Sequence, residues 1–190
     1  MKLILASQSP RRMELLKQIH PDFLVEPAQG AEIVPEGATP AETVMALAKA
    51  KAQEIAAHHP DDLVIGSDTI VAIDRQILGK PKSQEHCIDM LRQLSGRRHQ
   101  VYTGVALAHQ GECECFYDVT EVEFYPLSEE EILWYASLEE PYDKAGGYGI
   151  QGRGGLLIKG IHGDYFNVMG FPVALAARKM QKYFDFTQSK

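Results

Sequence analysis

Residues 63–73 read Leu63-Val64-Ile65-Gly66-Ser67-Asp68-Thr69-Ile70-Val71-Ala72-Ile73, two apolar runs flanking a short polar centre. Short runs rich in Val and Ile are the signature of buried strands. Residues 63–66 and 69–73 are therefore expected as strand, with Asp68 between them. A carboxylate just past an apolar strand is placed to project into a cleft rather than into the core. Upstream, Thr39, Pro40 and Glu42 form a capping box that opens a helix to about residue 58, with Val44, Leu47, Lys51 and Ile55 along one face. Further upstream, residues 2–6 are a strand candidate, and Ser9-Pro10 starts a helix over 11–19. Downstream, residues 74–76 turn into Ile77 and Leu78, and a helix runs from near Ser83 to Gly96. Residues 100–108 and 113–124 are long strand candidates joined at Gln110 and Gly111, which suggests an antiparallel hairpin. Ser128 and Glu131 make a second capping box for a helix through about residue 138. A glycine-rich loop covers 145–155, residues 156–161 and 165–169 are expected as strands, and a helix follows Pro172. This mixture of helices and strands argues for α/β or α+β with a mixed sheet.

Composition sets the frame. The 190 residues are 45% hydrophobic and 24% charged, which suits one globular domain over 1–190 with no linker, repeat or low-complexity tract. A chain of this size buries roughly 70% of its unfolded surface, so it needs no metal or disulfide staple. No apolar run approaches the roughly 18 residues of a membrane span, and residues 3–6 are too short for a signal-peptide core. A cytoplasmic protein without a membrane partner is the expectation. The net charge of −7 argues against nucleic acid as partner, and any polyanionic ligand needs a local basic pocket. Cys113 and Cys115 are two apart on a strand candidate, so they point the same way and are expected as buried small hydrophobes rather than a disulfide. The seven histidines lack zinc-site spacing, so any metal is expected to be a hard, oxygen-bound ion.

Ala6-Ser7-Gln8-Ser9-Pro10-Arg11-Arg12 leaves a strand and enters a helix where backbone N–H groups lack partners and attract anions. Arg11 and Arg12 stand in that first turn, where the helix dipole disfavours each cation by roughly 0.3–1 kcal/mol. A polyphosphate would resolve the conflict, since the N–H groups, the Ser7 and Ser9 hydroxyls and two guanidiniums would converge on it. The alternative is a pair of solvated arginines. Asp68 suits Mg²⁺, which takes one or two carboxylates plus substrate phosphates, and could help deprotonate a water; the alternative is a turn cap. Lys80, in Leu78-Gly79-Lys80-Pro81, could reach phosphate, but the segment lacks the upstream glycine and the Ser or Thr of a P-loop. Lys49 and Lys51 cannot share a helix face, so only one is expected at a site. Gly147, Gly149 and Gly152 match G-x-G-x-x-G in letter only, because a strand rather than a helix is expected after them. Gln151 in this loop has an amide suited to the edge of a pyrimidine; the alternative is a loop residue bonded to its own backbone.

Six segments in order resemble the Maf family of nucleotide pyrophosphatases: residues 6–12, Ser67-Asp68-Thr69-Ile70-Val71, Leu78-Gly79-Lys80-Pro81, Leu94-Ser95-Gly96, Val101-Tyr102-Thr103-Gly104-Val105, and Asp143-Lys144-Ala145-Gly146-Gly147-Tyr148-Gly149-Ile150-Gln151-Gly152. The last segment is similar to the branch acting on dTTP and UTP. The resemblance implies hydrolysis of a nucleoside triphosphate to the monophosphate and pyrophosphate with a divalent cation, Mg²⁺ or Mn²⁺. It also implies an elongated mixed sheet flanked by helices, two lobes with a cleft between them, and a homodimer as a frequent assembly. By position, Asp68 matches the proton acceptor, and Arg12, Thr69 and Gln151 match substrate-specificity positions. Ser7, Arg11, Glu32, Lys51 and Lys80 match the other polar pocket residues, with Asp68 and Glu32 as the metal-ligand candidates. Gly147 stands where alanine is common in the family, and Phe171 where leucine is. The family's proposed role includes restraining cell division, so the reading from another class is a nucleotide-sensing module that binds without turnover.

Overall fold

A computed structural model describes residues 1–185. Its sheet has seven strands: β1 (Leu3–Leu5), β2 (Leu24–Val25), β3 (Leu63–Ile73), β4 (Gln76–Leu78), β5 (Arg98–His109), β6 (Glu112–Phe124) and β7 (Ile158–His162). The order is β2-β1-β3-β5-β6-β7, with β4 paired to β3. β1 runs parallel to β2 and β3, β4 runs antiparallel to β3, and β7 antiparallel to β6. The two-residue turn between β5 and β6, with Gln110 at φ 49° and Gly111 at φ 82°, permits only an antiparallel neighbour. The described residues also form six α-helices: α1 (Pro10–Lys17), α2 (Pro40–Ala56), α3 (Gln84–Leu94), α4 (Glu129–Ala136), α5 (Tyr165–Met169) and α6 (Val173–Met180). No helix among the described residues is long and apolar enough to cross a membrane. The α/β class with a mixed sheet is thus the observed one.

The chain divides into two compact units: residues 1–68, 103–118 and the chain from 170 onward form one, and 69–102 with 119–169 form the other. In the first, Ile4, Ala6, Val64, Ala106 and Ala108 of the sheet pack with Ala48, Ala52 and Ile55 of α2. The small residues on α2 have a reason. Gly66 on β3 and Gly104 on β5 leave no side chain beneath the helix, and a Cβ at either would collide with its backbone, at the Ala48 carbonyl and Val44 carbonyl respectively. In the second unit, Met90, Leu91 and Leu94 of α3 pack with Val101, Val122, Phe124, Ile132 and Tyr135.

Three local expectations are revised. β3 is one strand running through Asp68 rather than two with a break. β2 was not expected; Leu24 and Val25 pair with β1 and are apolar, but two residues are too few to show the alternation that marks a strand. Residues 165–169 form helix α5 rather than a strand, because a short apolar run does not distinguish the two. Here the Asp164 carboxylate accepts the Phe166 N–H at 2.9 Å, which caps a turn. The fully buried Asn167 amide donates to the Val101 carbonyl and the Thr120 hydroxyl, both at 3.0 Å, which fixes the turn on its unit. Phe171, where the family commonly has leucine, is fully buried.

Gly66→Ala is expected to lower stability by about 1–3 kcal/mol, the cost typical of overpacking. A thermal melt would register this as a clear drop in Tm, and an unchanged Tm would mean that α2 can move off the sheet at no cost.

Candidate active site

The first unit holds six of the sequence candidates: Ser7, Arg11, Arg12, Glu32, Lys51 and Asp68. β1 ends at Leu5, and the chain passes through Ala6, Ser7 and Gln8 to Ser9, whose hydroxyl accepts from the Arg12 N–H as the N-cap of α1. Ser7 Oγ accepts from the Ser9 N–H at 3.2 Å and from Arg12 Nη1 at 3.3 Å. Arg12 Nε donates to the Gly170 carbonyl at 2.9 Å, and that carbonyl also accepts from the Ser67 hydroxyl at 3.3 Å. Arg12 is therefore folded back over the motif rather than extended into water. Burial, the largest influence, lowers its pKa; Asp68 opposes this, Arg11 adds to it, and Glu32 opposes it. The guanidinium keeps its charge, and the four groups are near enough to feel one another.

Asp68 follows Gly66 by two residues, so both face the same side of β3, toward α2. Lys51 comes from α2 and places Nζ 2.5 Å from Asp68 Oδ1 and 2.7 Å from Glu32 Oε1. Asp68 is largely sheltered, with its side chain 13% exposed, whereas Glu32 is 61% exposed. One ammonium thus holds two carboxylates together. Lys49 is exposed and lies electrostatically beside Cys113 and Cys115. Only one lysine of the pair reaches the cluster, as the helix geometry requires. Asp68 and Glu32 are the carboxylates that could hold a cation. Among the described residues no group of three or more His, Cys, Asp or Glu side chains has ligating geometry.

The remaining candidates belong to the second unit. Thr69 is half-buried on β3, Lys80 is exposed just past β4, and Gln151 is exposed in the glycine-rich loop. That loop is built from short 3-10 turns, Ala145–Gly147 and Arg153–Leu157, and runs on into β7. It does not open a helix, which removes the dinucleotide-binding reading. Gly146 and Gly147 both adopt positive φ, 72° and 70°. Glu140 lies beneath the loop: its carboxylate accepts the Arg153 N–H at 2.9 Å, the Gly154 N–H at 3.0 Å and the Tyr135 hydroxyl at 2.9 Å. The Tyr135 oxygen in turn accepts the Gly149 N–H at 3.1 Å. The buried Tyr148 hydroxyl lies 2.6 Å from His99 Nε2, and both rings stack edge-on with Phe124.

Comparison with known proteins places these features. Residues 2–183 match the family described as Maf-like protein. The chain belongs to the Maf family. Among curated Maf relatives, a dTTP/UTP pyrophosphatase of Agathobacter rectalis is 50% identical over 200 residues, covering 95% of this chain and 97% of its own. One of Bacillus velezensis is 47% identical over 182 residues, 96% of each chain, and one of Carboxydothermus hydrogenoformans 46% identical over 185, covering 96% and 99%.

Within this Maf fold, Glu140, Tyr135 and His99 are residues that sequence reasoning did not single out. The available signal is indirect: a glycine-rich loop exposes N–H groups that need acceptors, and Glu140 is a carboxylate shortly before it. Burial alone would raise the Glu140 carboxyl, but the N–H groups of Gly154 and Arg153, the Tyr135 hydroxyl and Lys144 outweigh it and hold it below the usual range. Burial also drives His99 down to about 4, so its imidazole is neutral at pH 7.

Glu140→Gln replaces a carboxylate that serves three donors with an amide that has one acceptor oxygen. A loss of about 1–3 kcal/mol is expected at pH 7, as for leaving buried N–H groups unpaired. Because the folded pKa of Glu140 is depressed, its contribution is complete above the unfolded pKa and is lost as pH falls through the folded one. The Tm gap between variant and wild type should narrow on acidification; a gap independent of pH would remove the carboxylate from this role.

Proposed function

We propose that this chain is a nucleoside triphosphate pyrophosphatase of the dTTP and UTP type, releasing the nucleoside monophosphate and pyrophosphate. What carries this reading is the convergence of Ser7, Arg12, Lys51, Glu32 and Asp68 in the first unit, in a chain that matches relatives named dTTP/UTP pyrophosphatase over nearly its full length. Hydrolysis adds water at a phosphoanhydride: a P–O bond forms, the bridging P–O bond breaks, and pyrophosphate leaves. Asp68 is assigned to take the proton of the attacking water on a carboxylate oxygen. Lys51 orients that carboxylate at 2.5 Å until phosphate oxygens compete for its ammonium. Arg12 and Arg11 stabilise charge on the phosphates, and the Ser7 hydroxyl, already an acceptor for Arg12, fixes the guanidinium's direction. Lys80 is assigned to phosphate, and Thr69 and Gln151 to selection of the base; these assignments rest on the family resemblance.

The cluster fits a hard divalent cation, since Asp68 and Glu32 offer oxygen ligands that already share one positive charge. We assign Mg²⁺ to Asp68 and Glu32, with Mn²⁺ as a substitute. When bound, such an ion supplies Lewis acidity at phosphate and lowers the pKa of a bound water. Nucleoside triphosphates as substrates accord with a cytoplasmic enzyme that partners neither nucleic acid nor membrane, and a homodimer is the assembly carried over from the family.

Asp68→Asn is expected to lower kcat by roughly 10²–10⁴, as for loss of a general base, with KM for dTTP little changed. Pyrophosphate release from dTTP should stop on chelation and return with Mg²⁺. Tight dTTP binding without pyrophosphate release by the wild type would favour the sensing module instead. Gln151→Ala should bring the kcat/KM values for dTTP and dATP closer together; an equal loss on both nucleotides would take base selection away from Gln151.

A further inference from the structure

Cys113 and Cys115 stand on the same face of β6, two residues apart, and both thiols are free. Their sulfurs are 3.9 Å apart, close enough for one thiol to donate to the other. Both are half-buried rather than sealed in the core, which revises the expectation of buried small hydrophobes: they pack at the edge of the cluster formed by Ala52, Ile55 and Ala108. Cys113 also lines a surface cavity of about 350 Å³ with His109, Lys182 and Tyr183, so a small reagent can approach the pair from the Cys113 side. The third cysteine, Cys87, is fully buried against α3's neighbours, and burial raises its thiol to about 11. The molecule thus contains one inert thiol and one half-buried, hydrogen-bonded pair.

We propose that Cys113 and Cys115 form a reversible oxidation site, where a peroxide closes an intrachain disulfide across Glu114. The two sulfurs differ in role. Cys115 is lowered, chiefly by the hydrogen bond it shares with Cys113 and further by the Lys49 ammonium, whereas the same hydrogen bond raises Cys113. The Cys115 thiolate attacks a peroxide oxygen, the O–O bond breaks, and Cys115 sulfenic acid forms with release of hydroxide, which is protonated to water. The Cys113 sulfur then attacks the Cys115 sulfur; the S–S bond forms, the S–O bond breaks, and the hydroxide leaves as water with the Cys113 proton. Two thiols lose two electrons and two protons, and one peroxide becomes two waters. Closure must shorten the 3.9 Å gap to about 2.05 Å through side-chain rotation. Residues i and i+2 of a strand are about 6.6 Å apart at Cα, near the upper limit of what a disulfide spans, so the bond is strained and readily reduced.

Full-length reduced protein, treated with a small excess of hydrogen peroxide and read by intact mass and peptide mapping, should lose about 2 Da through a Cys113–Cys115 link and regain it with dithiothreitol. Cys113→Ser should stop at a Cys115 sulfenic acid that a dimedone probe captures, and Cys115→Ser should oxidise at least about tenfold more slowly. Neither residue belongs to the active-site cluster, so dTTP hydrolysis by the reduced variants reports that they are folded. The proposal is overturned if wild type forms intermolecular or Cys87-containing disulfides instead, if Cys115 passes to sulfinic acid without the 2 Da loss, or if Cys115→Ser reacts at the wild-type rate.

Discussion

Everything about the cluster of Lys51, Asp68 and Glu32 follows from how closely α2 approaches the sheet. Helix and strand backbones come within collision distance of a single missing methyl at Gly66, and again at Gly104. Ordinary side chains at those positions would raise the helix by the thickness of a side-chain layer. Because strand residues alternate, Val64, Gly66 and Asp68 share the face beneath α2: Val64 packs on Ala48 and Ala52, Gly66 lets the helix down, and Asp68 meets Lys51. Lys51 is next in sequence to Ala52, whose backbone N–H is one of the groups a Cβ on Gly66 would strike. The packing contact and the ion pair are consecutive consequences of one close approach. A glycine that looks like a weak point in a strand is what sets the distance between Asp68 and Lys51.

How much of this was visible in the sequence depends on whether a feature has a local cause. The capping boxes at Thr39–Glu42 and Ser128–Glu131 are satisfied as the spacing predicts, with both reciprocal bonds present, because a cap is decided within four residues. The Ser9-Pro10 start of α1 and the division of labour between Lys49 and Lys51 were legible for the same reason. β2 was not, since two residues are too few to carry a period, and α5 was not because a five-residue, mostly apolar run fits a strand or a helix equally. The continuity of β3 through Asp68 was hidden by the polar centre of the segment, which interrupts the apolar pattern but not the strand.

The glycine-rich loop shows the same division between local and distant causes. Positive φ at Gly146 and Gly147 could be anticipated from residue type. What holds the loop could not. Glu140 and Tyr135 accept from three of its N–H groups and bond to each other, Tyr135 from α4 and Glu140 from the turn that follows, and nothing in their own neighbourhood distinguishes them from a surface acid and a core aromatic. Glycine gives a loop freedom but no conformation, so the conformation must come from acceptors fixed elsewhere. A carboxylate suits this task because it accepts several hydrogen bonds and each charge-assisted one is stronger than its neutral equivalent. Gln151 sits between the loop's anchored ends, which makes its position a product of Glu140 as much as of the glycines.

The charge balance of the cluster explains why a pyrophosphatase of this kind would need a cation at all. The chain carries a net charge of −7, and the basic residues gathered in the first unit are not unopposed: Arg11, Arg12 and Lys51 stand beside Asp68 and Glu32. Three cations against two carboxylates leave a single positive charge to meet a polyanionic triphosphate. A site meant only to bind phosphate would omit the carboxylates, since each repels the ligand at close range. Retaining them makes sense when one must accept a proton and both can share a divalent ion, whose two charges convert a nearly balanced cluster into a strongly positive one only when the ion is present. Under the proposed function Lys51 serves as a placeholder: its ammonium keeps Asp68 and Glu32 together at 2.5 and 2.7 Å, so that the carboxylates are already gathered for a cation and its nucleotide.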